Sequence, residues 1–212
     1  MILKKIKRII NEWGNELIEH KKLILFSLFL IALSTVIDYN AGRYVTDVAK
    51  TQIVPDIFID NIPPINLNFL FVYGWLSVVV VLLAYPIIFN VSKIHTTLSH
   101  FSLLTIVRSF FITLTHLETP LTAISVKFPS VLQLLKFEND LFFSGHTAIP
   151  FLGYLLFKES KIKYFFLISS IIMGITALLT HQHYTIDVLA AFFITYGTYE
   201  IGKNLFSVFD KN

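Results

Sequence analysis

The sequence predicts an all-α, polytopic membrane helical bundle of about six transmembrane helices, and three observations predict it. Of the 212 residues 55% are hydrophobic, 21 of them Phe, and the mean hydropathy is +0.69. Only 15% are charged, well below the roughly 25% of soluble domains. Apolar stretches approaching the ~20 residues needed to cross a bilayer recur along the chain, with short polar segments between them. A soluble domain of this size could not shield so much apolar surface, so one membrane domain is expected. There is no cysteine, which excludes disulfides and thiolate chemistry. No internal repeat or low-complexity tract stands out.

In chain order, residues 1–22 are not a span. Lys4, Lys5, Lys7, Arg8, Lys21 and Lys22 interleave with Ile2, Leu3, Ile6, Ile9, Ile10, Trp13 and Leu17. That pattern predicts a basic amphipathic helix lying flat on the inner leaflet. A six-span catalytic domain over 23–203 and a cytoplasmic tail over 204–212 follow. The first span runs from Leu23 to Ile37; no clean small-residue cleavage site follows it, so a signal peptide is not expected. The second covers Phe69 to Phe89, with a kink at Pro86. The third runs from Leu98 to Leu117 and contains Arg108. The fourth, Gly145 to Phe157, is short, and the fifth and sixth cover Tyr164 to Thr180 and Tyr184 to Ile201. Asp38 to Asn68 and Glu118 to Asp140 are read as loops.

Charge predicts the orientation. With the amino terminus inside, the inner segments hold twelve basic residues against four outside, Arg43, Lys50, Lys127 and Lys136. Both termini are therefore expected in the cytoplasm. The net charge of +3 is mostly this anchor and is poor evidence for nucleic-acid binding. In this topology the fourth and sixth spans both begin at the extracytoplasmic side. The two loops roof that side with Asp38, Asp47, Asp56, Asp60, Glu118, Glu138 and Asp140.

Those two helix mouths carry the chemistry. Phe143-Ser144-Gly145-His146-Thr147 opens the fourth span, and His183-Tyr184-Thr185-Ile186-Asp187 opens the sixth. Residues 183 and 187 are four apart and share a helix face, so the carboxylate can orient the imidazole. Gly145 and Ser144 sit where a helix presents unpaired N–H groups to an anion, and glycine admits a phosphate closely. The Ser144 and Thr147 hydroxyls are expected to donate further bonds. The pattern suits covalent phosphoryl transfer. His183 attacks phosphorus, Asp187 holds its other nitrogen, and His146 protonates the leaving alkoxide, then takes a proton from the incoming alcohol or water. No metal or other cofactor is required, because a helix terminus and cationic side chains can hold the charge. Arg108, the one Arg within a span, is expected to clamp a phosphate oxygen or to pair with a buried carboxylate. Asp140 and Tyr184 complete the candidate substrate-binding set. Zinc held by His146, His181 and His183 is the competing reading. His181 is otherwise placed at the rim, His116 at the outer mouth or the interface, and His20, His95 and His100 in solvated or interfacial positions.

At these residues the chain resembles a known family. Phe142-Phe143-Ser144-Gly145-His146-Thr147 and His181-Gln182-His183-Tyr184-Thr185-Ile186-Asp187-Val188 look like the two catalytic motifs of sphingomyelin synthases, six-span members of the type 2 phosphatidic acid phosphatase superfamily. Asp140 keeps an acidic position six residues before His146. Val54-Pro55-Asp56 is similar to a Pro-Asp segment after the family's first span, and Arg108-Ser109 is like its third-span motif. The resemblance implies transfer of a phospho-headgroup from a glycerophospholipid to ceramide, with His146, His183 and Asp187 as the catalytic set. Phosphatase members place an Arg shortly before the second His, where this chain has Ala177. That departure disfavours a simple phosphatase, and sphingomyelin synthases share it.

The expected function is thus a lipid headgroup transferase whose partners are the bilayer, a phospholipid donor and a lipid alcohol acceptor, ceramide or diacylglycerol. Hydrolysis of a lipid phosphate or phosphodiester by the same residues is the alternative. A non-catalytic lipid-binding or transport protein is a third, but it needs no nucleophile with an orienting acid.

Overall fold

Backbone N–H and C=O groups within a bilayer find no water, so apolar segments satisfy them internally as helices. The computed structural model describes residues 11–128 and 137–207, apart from 12, 15 and 17. Among these the chain forms six principal helices: α1 (Lys21–Asp47), α2 (Leu70–Phe89), α3 (Ile94–Leu114), α4 (Gly145–Leu156), α5 (Ile162–Leu179) and α6 (Thr185–Ser207). The first turn of α2, Leu70–Gly74, is wound as a π-helix, and a 3-10 turn at Val91–Lys93 leads into α3. No strand occurs among the described residues; one isolated bridge pairs Gln52 with Leu117.

Four segments are long and apolar enough to cross a membrane: Lys21–Asp47, Leu70–Phe89, Val91–Leu114 and Ile162–Leu179. Large apolar side chains such as Phe29, Val36, Val80, Phe110 and Phe193 point outward. In water that surface would aggregate; against acyl chains it is matched, and the chain is an integral membrane protein. The fourth expected span, α4, has 12 residues, about 18 Å at 1.5 Å per residue, which is too short to cross the ~30 Å hydrocarbon layer. It stands inside the bundle, packed on α5 and α6. Of the basic amino-terminal helix, residues 1–10 lie outside the described residues. Trp13, Glu16 and Ile18 are helical, and the Trp13 indole donates to the Ile87 carbonyl (3.1 Å) at the end of α2.

The first span is longer than its apolar run. Asp38, Arg43 and Asp47 were expected in a loop, yet α1 continues to Asp47. Asp38 turns inward and accepts from Ser109 Oγ on α3 (3.0 Å), while Arg43 and Asp47 pair one turn apart (2.8 Å). Charges that find partners do not end a helix.

In lipid, helices associate by close packing rather than by expulsion of water. α1 lies along α3, and the central cluster joins Val78 and Leu82 of α2, Leu104 of α3, Leu152 of α4 and Phe166 of α5 with Phe143. At Gly153 a Cβ would lie 2.5 Å from the Phe166 ring, so glycine is what lets α4 and α5 meet. His100 is not solvated as expected. It is buried between α3 and α6, with Nδ1 on the Thr96 carbonyl (2.8 Å) and its ring against Gly202.

Candidate active site

The site begins where α5 turns into α6. Thr180 closes α5 through its hydroxyl on the Thr176 carbonyl (2.8 Å), and His181 takes a left-handed conformation (φ 55°), rare for a residue with a Cβ. The chain reverses within four residues and delivers His183 just ahead of α6. His181, expected at the rim, is fully buried and bonds Thr122 Oγ1 (2.6 Å). It belongs to a seam that sews the loop after α3 onto this turn: Ile124 N–H donates to Thr180 O (3.0 Å), Gln182 Nε2 to Ile124 O (2.7 Å) and Tyr184 Oη to Glu118 O (2.8 Å).

The start of α6 leaves N–H groups without helical partners, and a distant acid takes one. Asp56 Oδ2 accepts from Thr185 N (2.7 Å), and its Oδ1 accepts from Thr185 Oγ1 (2.7 Å), Phe58 N (2.8 Å) and Ile59 N (3.0 Å). Burial works against ionisation of Asp56. The bonds from Ile59, Thr185 and Phe58 outweigh it and hold the carboxyl below its ordinary 3.8. Nothing local in the sequence marks Asp56 as a helix cap; the Pro-Asp segment was its one signal.

In the first turn of α6, Asp187 is fully buried. Its Oδ2 accepts from Tyr184 N (2.9 Å) and lies 3.4 Å from His183 Nδ1. The carboxylate is thereby fixed behind the imidazole, whose other nitrogen is left for a ligand. The two motifs are also tied directly, because Ser144 N–H donates to the Asp187 carbonyl (3.1 Å). α4 starts from that anchor, and His146 stands in its first turn, its ring stacked on Phe71 (centroids 3.8 Å) and beside Trp75 (5.5 Å). Pro150 cannot donate to the His146 carbonyl, so the first turn of α4 is released from the usual ladder at that point. The His146 and His183 ring centres are 6.1 Å apart.

Both rings line one cavity of about 350 Å³, within the range of small-molecule sites. Arg108, Asp140 and Gly145 line it too. Arg108 fulfils the second of its two expectations, as partner of a carboxylate. Its Nε donates to Phe143 O (2.9 Å), Nη1 to Asp140 Oδ2 (3.1 Å) and Nη2 to Asp140 O (3.1 Å), with Asp140 Oδ1 2.9 Å from Nη2. A Cβ on residue 145 would lie 3.3 Å from Arg108 Nε, so a side chain there would press on the guanidinium at the mouth of α4.

Three residues of the expected set are elsewhere. Ser144 and Thr147 are fully buried outside the cavity lining, with Thr147 Oγ1 donating to Ser144 Oγ (3.4 Å) and packed near Gly174. Their hydroxyls meet each other within the first turn of α4. Tyr184 is neither a belt aromatic nor part of the lining: it is 1% exposed, and its hydroxyl holds the roof. Conversely Asp38, expected only among the acids of the roofing loops, lines the cavity, as do Trp75 and Phe128, which the sequence did not mark. The proposed zinc set does not assemble, since His181 turns to Thr122. Among the described residues no group of three or more His, Asp or Glu is arranged to hold a metal.

The membrane helical bundle thus brings two helix-mouth histidines, one backed by a buried carboxylate, to a common cavity. Residues 139–204, which carry both motifs, match the family described as PAP2 superfamily C-terminal. Over 63 residues the chain is 37% identical to phosphatidylcholine:ceramide cholinephosphotransferase 2 of Rattus norvegicus and 40% identical to that of Homo sapiens. The aligned part is 27% of this chain and 17% of each relative. The similarity to that family model and the sphingomyelin synthase-like resemblance hold over that segment.

Proposed function

We propose that the protein moves a phosphate-linked headgroup from a glycerophospholipid to a lipid alcohol, ceramide or diacylglycerol, through a phosphohistidine on His183. The observation that carries this reading is the meeting of His146 with the His183–Asp187 pair on one cavity wall. The relatives' name, which couples phosphatidylcholine to ceramide, is the precedent for donor and acceptor.

In the first half His183 Nε2 attacks phosphorus and a P–N bond forms. The P–O bond to the glyceride breaks, and His146 gives its proton to the departing alkoxide. In the second half His146 takes the proton of the incoming hydroxyl, that oxygen attacks phosphorus, and the P–N bond breaks to restore His183. Asp187 at Nδ1 fixes the tautomer and offsets the positive phosphoimidazole; its 3.4 Å separation shortens when the ring charges. The first N–H groups of α4 at Gly145, with the Arg108 charge beside them, face the developing phosphoryl charge. The residues complete both halves without a metal. The basic-residue asymmetry supports an orientation with both termini in the cytoplasm and the cavity toward the extracytoplasmic leaflet.

The test is reconstitution in liposomes with labelled phospholipids, with and without ceramide or diacylglycerol, and products resolved by mass. A new phospholipid that disappears in His183→Ala is the expected result. Product surviving that substitution removes the covalent mechanism. Free phosphate or phosphoalcohol in place of a new lipid makes the protein a hydrolase. Loss of product on chelation removes the metal-free chemistry.

A further inference from the structure

Two carboxylates, Asp38 and Asp140, and one guanidinium line the cavity. Arg108 spends its donors on Asp140 and the Phe143 carbonyl. Asp38 faces the same cavity from α1, where it accepts one hydrogen bond, from Ser109 Oγ (3.0 Å). No basic side chain among the described residues lies within ion-pair distance of it. A carboxylate turned toward an enclosed, largely apolar space is costly unless a cation meets it. The neighbouring walls are aromatic, with Phe71, Trp75, Phe101 and Phe128 around the opening, and aromatic faces attract cations. His146 adds a buried Nε2 with no hydrogen-bond partner in the same cavity.

We propose that Asp38 is the counter-ion of a positively charged headgroup, so that the site selects donors bearing an ammonium and rejects anionic ones. The inference rests on the reading of this cavity as the phospholipid headgroup site. With Asp38, Asp140 and Arg108 ionised and His146 protonated for the first half-reaction, the walls carry no net charge. A zwitterionic headgroup brings a phosphodiester to the histidines and an ammonium to Asp38, and adds no net charge. A headgroup with a phosphodiester and no cation leaves Asp38 unmatched and adds a net negative charge to the cavity. Asp38 is therefore a specificity-determining residue that acts on the part of the substrate remote from phosphorus.

The experiment measures binding without turnover. The protein has two tryptophans, Trp13 and Trp75; in a Trp13→Phe background the fluorescence of Trp75 reports the cavity. The probes are the water-soluble headgroups glycerophosphocholine, with net charge zero, and glycerophosphoglycerol, with net charge of minus one. The choline probe is expected to bind about tenfold or more tightly, the scale of one cation–π or partly buried charge contact. Asp38→Asn is expected to bring the two affinities together, and Asp38→Glu to restore the preference. Equal affinity for the two probes, or binding of neither, overturns the proposal, as does a preference that survives Asp38→Asn. If the Asn variant does not fold, the ratio measured on the parent protein still decides. A charge-selective preference with no new phospholipid in the liposome assay keeps Asp38's role and removes the transferase reading. Transfer that uses both donor classes equally does the reverse.

Discussion

Asp56 caps α6 from a loop 129 residues earlier, and Asp56→Asn isolates what that contact contributes. The carboxylate accepts four bonds: from Phe58 N, Ile59 N, Thr185 Oγ1 and Thr185 N. An amide keeps one acceptor oxygen. If that oxygen stays with the first three donors, its NH2 faces Thr185 N–H, donor against donor, and a helix-start N–H is left unpaired. The unpaired buried donor costs about 1–3 kcal/mol, and loss of negative charge at a helix N-terminus roughly 0.3–1 more. A destabilisation of about 1.3–4 kcal/mol follows, read by denaturant or thermal unfolding in detergent micelles. The pH dependence supplies the internal control. Because the folded carboxyl titrates below its ordinary value, its contribution is fully present above the unfolded value of about 3.9 and is lost as pH falls through the folded value. The stability gap between the parent and Asp56→Asn should stay constant from neutrality to about pH 5 and close only in more acid solution. A gap below about 1 kcal/mol, or one that closes near neutral pH, refutes the capping argument. Since α6 carries Asp187, the same variant should also lose turnover at saturating substrate.

Arg108→Lys replaces a fork that grips Asp140 and the Phe143 carbonyl with a single ammonium. About 1.5–3 kcal/mol of stability and at least tenfold in turnover should go with it, measured by unfolding and the liposome assay. Gly153→Val drives a side chain into the Phe166 ring. The thermal midpoint should drop by the equivalent of about 1–3 kcal/mol; an unchanged midpoint would show that α4 and α5 are not closely packed. Tyr184→Phe removes the bond to the Glu118 carbonyl and should cost about 1 kcal/mol of stability while leaving donor preference unchanged; an altered preference would return Tyr184 to the ligand site.

Local pattern carried much of this molecule. Hydropathy alone marks the four long apolar helices, since a bilayer accepts only segments that satisfy their own backbone. The four-residue spacing of His183 and Asp187 and the helix-mouth position of Gly145 are likewise local; the structure brings the two side chains to 3.4 Å, though His183 reaches Asp187 from the turn ahead of α6 and not from a shared helix face. What hydropathy misread was Asp38, Arg43 and Asp47, whose charges look like a loop until their partners are known. Ser144, Thr147 and Tyr184 stand beside the two cavity histidines in sequence, yet they lie outside the cavity lining.

The sequence by itself determined a membrane-embedded helical chain and the identity of its two histidine motifs, because hydrophobic period and i,i+4 spacing act within a few residues. Only the tertiary structure decided that His146 meets His183, that Arg108 is held by Asp140, that Asp56 caps α6 and that Asp38 enters the cavity. The partners in these contacts are 32 to 129 residues apart wherever a hydrogen bond joins them, and no local periodicity encodes which distant group will neutralise a buried charge.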